Sequence, residues 1–291
     1  MILQFIADGL CLGFVYGVVA VGFGLIYYST RVFHLAHGAV YMLAAYSLYL
    51  LLAVLNIGLI AAIPSALVIA AGIGIGAEWA VYRPLHRRAA SPSVVLISSL
   101  GLYIVLVNLV AILAGNEPRV LRPGIEKTVA FGSVVLTRIQ IAQLIGGVAV
   151  LSGYWFLMER SRLGRLCRAM ADNPDLLGVL GGNEGQLRLV AFALGSLLAG
   201  IGAVFTSLDI GIDPYIGFPM LLTAAVACII SGVGNFLAPA VGAIALGIIQ
   251  SVVVYYTSAR WQHSVTFVLL IGFLLLRPEG IFGIKKRLEE M

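Results

Sequence analysis

Charged residues are scarce in this chain, and several other sequence features are missing. Only 11% of the 291 residues are charged and 61% are hydrophobic. No polar segment exceeds about thirty residues, which excludes a separate soluble domain. The N-terminus has no basic region before its apolar stretch, so a cleavable signal peptide is not expected. No segment matches GxxxxGK[ST], so this chain is not predicted to bind a nucleotide.

Cysteines are few and far apart. Cys11, Cys167 and Cys228 lie in apolar or cytosolic settings, where they are expected to be reduced thiols and not a disulfide or metal set. His34 and His37 have helical spacing, but no third metal ligand lies near them, so a metal site is not predicted. His34 is interpreted as a hydrogen-bonded kink. For His37, a kink and a polar position on a transport pathway both stay open.

Long apolar runs recur along the whole chain, each of about the twenty residues that a helix needs to cross a bilayer. They predict an all-α integral membrane protein, a polytopic helical bundle of about 8–9 transmembrane helices that forms one transmembrane domain over residues 1–291. The predicted spans are roughly 2–28, 35–54, 60–82, 93–114, 139–157, 188–208, 218–233, 240–257 and 264–277. The second and seventh spans contain Gly, His or Pro at one end, which predicts irregular backbone beside a central cavity.

The distribution of Lys and Arg predicts the orientation. With the N-terminus outside and the C-terminus in the cytoplasm, five of the 18 basic residues lie outside: Arg119, Arg122, Lys127, Arg138 and Arg260. The other thirteen lie in cytoplasmic loops, in agreement with the positive-inside rule. This bias also explains the pI near 9.2, so nucleic acid is not an expected partner. Residues 115–138 on the outer side are predicted to form a small lid or hairpin.

The longest polar interruption, residues 159–188, contains a run that is predicted to be one helix over 165–180 and to stop at Gly181 and Gly182. Apolar residues at roughly helical spacing form a stripe suited to a groove on a cytosolic partner: Leu166, Met170, Leu176, Leu177 and Leu180. The alternative is a solvated cytosolic loop.

The residues within the spans give little support to an ion-coupled transporter or to a channel. An ion-coupled secondary transporter acting alone usually keeps ionisable residues within its spans. Here Asp8 and Glu78 are the only acids near span interiors, and both are interpreted as span ends that reach the headgroups. A channel or a structural scaffold is a further alternative. A channel is expected to have a ring of charges around its pore, and no such ring is recognisable in the sequence.

An ordered set of segments resembles a known family. GLCLGFVYGVVAVGFGLIY (9–27) and VFHLAHGAVYMLAAY (32–46) resemble the start of permease subunits of branched-chain amino acid ABC importers, the LivH-type family. LGRLCRAMADNPDLLGVLGG (163–182) is similar to the cytoplasmic loop of that family, and LLLRPEGIFG (274–283) to its ending. Departures from the pattern occur at Gly178, Gly182 and Ser231.

The resemblance implies a type II ABC importer-like fold with a cytoplasmic coupling helix, in a multi-pass protein of the bacterial plasma (inner) membrane. The implied partners are a homologous second permease (LivM-type), two cytosolic ATPase subunits that hold ATP and Mg, and an extracytoplasmic substrate-binding protein. This chain would be no enzyme and would hold no cofactor. The loop at about 159–187 would couple to the ATPase through Arg165, Arg168, Met170, Asp172, Asn173, Pro174, Leu177 and Gly181.

Two further sets of residues are hypothesised within this scheme. The translocation path is assigned to polar residues of the spans, namely His37, Tyr41, Ser98, Ser99 and Asn108. Docking of the binding protein is assigned to charged residues of the outer loops, namely Arg119, Arg122, Asp209 and Asp213. The resemblance leaves open whether the substrate is leucine, isoleucine or valine, another amino acid, urea, an amide or an aromatic acid. It also leaves open whether the two permeases are identical.

Overall fold

The structure is a computed structural model that describes residues 1–121, 127–179, 181–232, 234–277 and 280–282. Helices dominate this part of the chain. In order they are α1 (Ile2–Thr30), α2 (His37–Tyr49), α3 (Leu59–Ala77), α4 (Arg83–Arg87), α5 (Pro92–Ala114), α6 (Arg138–Arg160), α7 (Arg162–Asp172), α8 (Pro174–Val179), α9 (Glu184–Ile210), α10 (Gly217–Ser231), α11 (Ala238–Tyr256) and α12 (Gln262–Leu276).

Eight helical segments in the described residues are long and apolar enough to cross a membrane. The α3 and α4 helices form one such segment, because the π-helical turn Glu78–Tyr82 joins them. A second π-helical turn, Leu50–Val54, extends α2. The apolar helix α10 has 15 residues and is shorter than a full span. The predicted bundle of about 8–9 transmembrane helices is confirmed, with α10 as the segment on which the count depends.

Glycines allow α1 to lie close to its neighbours at the centre of the bundle. A Cβ on Gly13 would lie 2.9 Å from the backbone of Ile244, and one on Gly9 would lie 2.8 Å from that of Ile248. These contacts run in opposite directions along α1 and α11, so the two helices are antiparallel. Such small-residue contacts are typical of helices that pack within a bilayer. The α1 helix also packs against α9 and α10.

A β-hairpin covers one end of the bundle. Strand β1 (Thr128–Phe131) pairs antiparallel with β2 (Val134–Thr137), so the hairpin alternative for residues 115–138 is confirmed. The side chain of Thr137 then caps α6 by accepting a hydrogen bond from the backbone N–H of Gln140. We call this the hairpin end of the bundle, and the opposite end, which carries α7 and α8, the α7–α8 end.

Candidate functional site

The polar loop at the α7–α8 end contains two helices, so the prediction of a single helix over 165–180 is wrong. The α7 helix ends at Asp172, and Asn173 adopts φ −151° and ψ 99°, outside the helical region. Pro174 explains the break, because proline lacks a backbone N–H and disfavours helical geometry at the preceding residue. The Asn173 side chain then accepts a hydrogen bond from the backbone N–H of Leu176 at 3.0 Å and caps α8.

The apolar residues of this loop divide between two surfaces, which corrects the predicted stripe. Met170 and Leu177 are buried and pack on Leu187 of α9, within the same chain. Leu166 and Leu176 are exposed, and Val179 has 84% of its surface exposed. Leu180 lies outside the described residues. We call the outward set, Leu166, Leu176 and Val179, the exposed apolar patch.

Two arginines of the predicted coupling set contact backbone of their own chain. Arg168 Nη1 donates to the carbonyl oxygen of Met158 and lies 3.8 Å from Glu159 Oε1. Arg165 is exposed, and its Nη1 makes a long hydrogen bond of 3.5 Å to the carbonyl of Arg160. Arg165 therefore presents its charge to solvent more freely than Arg168 does.

The end of the loop has the turn that the glycine pair predicted. Gly181 has a φ of +83°, a value that glycine tolerates best. Gly182 N–H donates to the carbonyl of Leu177 at 2.9 Å, the 6→1 hydrogen bond of a Schellman-type helix end. Asp172, the last residue of α7, is exposed.

The loop is also attached to the bundle at its base. Arg31, directly after α1, donates from Nη2 to the carbonyl oxygen of Ala171 at 2.7 Å.

Cys167 of α7 is a free, fully buried thiol. Burial raises the pKa of the Cys167 thiol, because the thiolate loses solvation there. All three cysteines are free and buried.

A buried ion pair joins α9 to the π-helical turn after α3. Arg188 Nε donates to Glu78 Oε1 at 2.7 Å, and Nη2 donates to Oε2 at 3.3 Å. Glu78 is 1% exposed and Arg188 is 4% exposed. Because Glu78 is buried, the interpretation that it lies at a span end and reaches the headgroups is wrong. The bidentate Arg188 compensates the burial of this carboxylate. Arg188 Nη1 also donates to the carbonyl oxygen of Thr30, at the end of α1.

A second buried polar chain starts on the same π-helical turn. Tyr82 donates its hydroxyl proton to Ser99 Oγ on α5 at 2.7 Å, and His34 Nδ1 lies 2.8 Å from the Tyr82 hydroxyl. Ser99 Oγ also accepts from the backbone N–H of Ala36 at 3.2 Å. These bonds hold residues 31–36, which are not helical, against α3 and α5. The hydrogen-bonded kink expected at His34 is present.

The helix α2 begins inside the bundle and not at its surface. The ring of His37, its first residue, lies 5.9 Å from that of Phe23 on α1. Phe23 precedes the end of α1 by seven residues, which corresponds to about 10 Å of helix. The first turn of α2 also meets the first turn of α10, since a Cβ on Gly38 would lie 2.8 Å from the carbonyl oxygen of Gly217. The irregular backbone predicted at the start of the second span is confirmed.

The residues predicted to line a path lie in different surroundings. His37 and Tyr41 share one buried region of α2, and Ser99 is buried one helix away, against residues 34–36. Ser98 is half-buried, and Asn108 lies on an exposed part of α5, where its Nδ2 donates to the carbonyl of Ile104. The structure thus places His37 and Tyr41 together and Asn108 apart from them.

The residues predicted to dock a binding protein lie at the hairpin end. Arg119 forms an antiparallel bridge with Ile212, and its Nη1 donates to the Tyr49 hydroxyl at 2.9 Å. Asp209 Oδ2 accepts from Gln143 Nε2 at 3.1 Å. Asp213 Oδ1 accepts from the backbone N–H of Tyr215 at 2.8 Å. Arg122 lies outside the described residues.

A cavity of about 480 Å³ opens among α1, α9, α10 and the start of α12 near the hairpin end. Tyr16, Thr206, Asp213, Tyr215 and Gln262 supply polar groups to its lining. Its apolar walls come from Leu12, Ile210, Ile216, Pro219 and Met220. The volume is within the range of small-molecule sites.

Sequence reasoning missed Arg188 and Tyr82 as internal polar partners. Each lies near a span end. The positive-inside rule explains an arginine there and the aromatic belt explains a tyrosine, so neither residue indicated an internal partner. Glu78 and Arg188 are 110 positions apart, so their pairing leaves no local pattern. The one available signal was Glu78 itself, a carboxylate next to a long apolar run, which requires a partner when it is buried.

Comparison with known proteins agrees with this architecture. Residues 5–274 match the family described as "Branched-chain amino acid transport system / permease component". The chain is 30% identical over 295 residues to the high-affinity branched-chain amino acid transport system permease protein BraD of Pseudomonas aeruginosa, covering 97% of this chain and 95% of BraD. It is also 30% identical over 297 residues to the corresponding protein LivH of Escherichia coli, with the same coverage of both chains.

A solved structure shares the fold at low sequence identity. PsaBC from Streptococcus pneumoniae in complex with Fab superposes with a TM-score of 0.54 at 14% identity, covering 95% of this chain and 93% of that one. The bundle, with its polar two-helix loop at one end, is the helical membrane domain of a type II ABC importer-like permease. The family match extends over nearly the whole chain. This chain therefore belongs to the family of branched-chain amino acid transport permease components.

Proposed function

We propose that this chain moves branched-chain or related amino acids from the outside into the cytoplasm, as one permease subunit of an importer that separate ATPase subunits drive. The observation that carries this proposal is the 30% identity to BraD over 97% of the chain, because it includes both the spans and the polar loop. The proposed assembly contains a second, homologous permease, two cytosolic ATPases and an extracytoplasmic binding protein. The chain lacks a GxxxxGK[ST] segment, so ATP and Mg belong to the ATPases in this proposal.

The α7–α8 end faces the cytoplasm in this proposal, and the N-terminus and the hairpin end face outside. The distribution of basic residues supports this orientation, because the polar loop carries Arg160, Arg162, Arg165 and Arg168. The bacterial plasma membrane is the proposed location.

The exposed apolar patch and Arg165 form the proposed contact with an ATPase subunit. Val179 and Leu176 are large apolar side chains left in water in the isolated chain, and burial in a partner groove would remove that exposure. Met170 and Leu177 have a different role in this proposal: they fix the two helices to α9.

Movement of α7 and α8 is proposed to reach the spans through α9. This helix starts five residues after Val179 and carries Arg188, which is bonded to Glu78 and to the end of α1. A displacement at the ATPase contact would therefore move three spans together. ATP can drive this change only if the ATPases bind differently to the two conformations of the permease.

His37 and Tyr41 are the proposed path residues among those singled out in the sequence. Both are buried: the His37 ring lies against Phe23 of α1, and the Tyr41 ring lies 3.5 Å from the position of a Cβ on Gly202 of α9. A shift of α2 relative to α1 and α9 would expose them. In this proposal they offer transient hydrogen bonds to a passing substrate.

Uptake into proteoliposomes tests the proposed function. The chain is reconstituted with its partner permease and ATPases, and labelled L-leucine is supplied outside with the binding protein. ATP inside the vesicles should drive accumulation, and a protonophore should leave it unchanged. Accumulation without ATP that a protonophore abolishes would instead establish the ion-coupled alternative. That alternative lacks support at Glu78, the fully buried acid of the described spans, because Arg188 neutralises it.

A further inference from the structure

The cavity near the hairpin end combines one charged group with extended apolar walls. Among the described residues that line it, Asp213 is the one that carries a formal charge. The backbone N–H of Tyr215 fixes one carboxylate oxygen of Asp213, while Oδ2 has no hydrogen-bond partner in the described part of the chain. Arg119, which pairs with Ile212 next to Asp213, is engaged with the Tyr49 hydroxyl and the Ala114 carbonyl. The cavity therefore presents a negative charge that attracts a compact cation.

Two uncharged polar residues of the lining, Tyr16 and Gln262, belong to a hydrogen-bond network that continues to Gln250 and Thr266. Gln262 Nε2 lies 3.4 Å from both the Tyr16 hydroxyl and Gln250 Oε1, and Gln250 donates in turn to Thr266. The hydroxyl of Tyr16 accepts from Gln262, which leaves its own proton for an acceptor in the cavity. This network links α1 to α11 and α12.

The remaining lining is aliphatic. Ile210, Ile216 and Met220 supply branched or flexible apolar side chains from α9, α10 and the loop between them. Met adapts to irregular shapes, which suits a pocket for more than one aliphatic side chain. A metal cation carries a similar charge but has no apolar part, so it would make no contacts with these aliphatic side chains.

We propose that this cavity is a transient binding site for an aliphatic α-amino acid during transport. Asp213 pairs with the substrate ammonium group, the Tyr16 hydroxyl donates to its carboxylate, and Ile210, Ile216 and Met220 surround its side chain. The assignment rests on the proposed function and adds a site to it within this chain. It gives Asp213 a role in contacting substrate, in place of the binding-protein contact expected from the sequence.

Substrate protection of an introduced cysteine tests this site. Ile210 lines the cavity and is 71% exposed, and the native cysteines of this chain are buried, so Ile210→Cys offers one accessible thiol in this chain, whose labelling is measured after the subunits are separated. The assembled complex, without the binding protein, is treated with a membrane-impermeant thiol reagent. Millimolar L-leucine should slow labelling, while 4-methylpentanoate, which has the same carbon chain but no ammonium group, should not.

Variants at Asp213 then test whether its negative charge binds the ammonium group of the substrate. Adding Asp213→Asn should raise the leucine concentration needed for protection by about tenfold or more, because a neutral amide replaces the carboxylate that pairs with the ammonium group. Asp213→Glu keeps the charge and should keep the protection. The matched control is Glu117→Gln, which removes an exposed carboxylate at the same end of the bundle and should change nothing.

Two results would overturn the site. One is labelling of Ile210→Cys that 10 mM leucine does not slow, and the other is equal protection with and without Asp213→Asn. ATP-driven leucine uptake by the unmodified complex is measured in parallel. If uptake proceeds while protection is absent, this site is wrong and the proposed function stands. If uptake itself is absent, the proposed function has failed.

Discussion

Arg188 and Glu78 form a bidentate ion pair in the interior of the bundle, 2.7 Å apart at their closest atoms. The pair lies where α9, α3 and the end of α1 meet, next to the loop that carries α7 and α8. A buried pair of this kind adds little net stability compared with apolar side chains, but loss of one partner leaves an uncompensated charge. Arg188 and Glu78 therefore each need the other, and together they link α9 to the end of α3 and to the end of α1.

Removal of one partner of this pair should destabilise the chain strongly. For Glu78→Ala we expect a loss of about 3–5 kcal/mol in the free energy of unfolding, because Arg188 stays charged and buried. The double variant Glu78→Ala/Arg188→Met should recover part of this loss. Thermal unfolding in detergent measures both. The control is Glu184→Gln in the exposed His86–Glu184 pair, whose effect should be about 1 kcal/mol or less. Equal effects at Glu78 and Glu184 would contradict this account of the pair.

The contact between the first turns of α2 and α10 should tolerate no added side chain. Gly38→Ala places a methyl group 2.8 Å from the Gly217 carbonyl and 3.2 Å from Leu221, so we expect a loss of about 1–3 kcal/mol from overpacking. Gly153→Ala on α6 is the matched control, because no atom of the described residues lies within 4 Å of its added Cβ. This control should be neutral or stabilising. Unfolding temperatures that fall equally for both variants would contradict the close contact.

Cys167 should react slowly with alkylating reagents in the folded protein. Its thiol is fully buried, and burial raises its pKa, so both access and the thiolate fraction are reduced at pH 8. Raising the pH should increase the reaction rate, because a raised pKa moves thiolate formation to higher pH. Leu166→Cys, on the exposed side of the same helix, is the control and should react at least about tenfold faster. Rapid labelling of Cys167 without denaturant would show that α7 does not pack as described.

The exposed apolar patch and the buried anchor should respond differently to truncation. Leu176→Ala/Val179→Ala should leave the unfolding temperature nearly unchanged but weaken recovery of ATPase subunits and ATP-driven uptake. Leu177→Ala should instead destabilise the chain by about 2–5 kcal/mol, because it removes a buried contact with α9. Unfolding temperature and recovered ATPase are measured on the same preparations. Full ATPase recovery with the double variant would show that the patch is not the contact surface.

The sequence predicted the architecture better than the interior contacts. Each span follows from local apolar composition, and the hairpin and the turn at Gly181 follow from local polar and glycine patterns. The break at Asn173 was also locally encoded by Pro174, but the apolar stripe across it suggested one continuous helix. The contacts between Glu78 and Arg188, and between Gly38 and Gly217, join distant parts of the chain. Such contacts depend on how the helices pack, which no local pattern specifies.

Purification of the chain from its native membrane in mild detergent, with mass spectrometry of the proteins recovered, tests the central claim most directly. We expect a second permease and ATPases with Walker motifs. Reversal of charge with Arg165→Glu should reduce ATPase recovery and leave the second permease, because Arg165 is exposed and makes one weak hydrogen bond to the described residues of the chain. Recovery of this chain alone from active membranes, with uptake that follows an ion gradient, would contradict the importer.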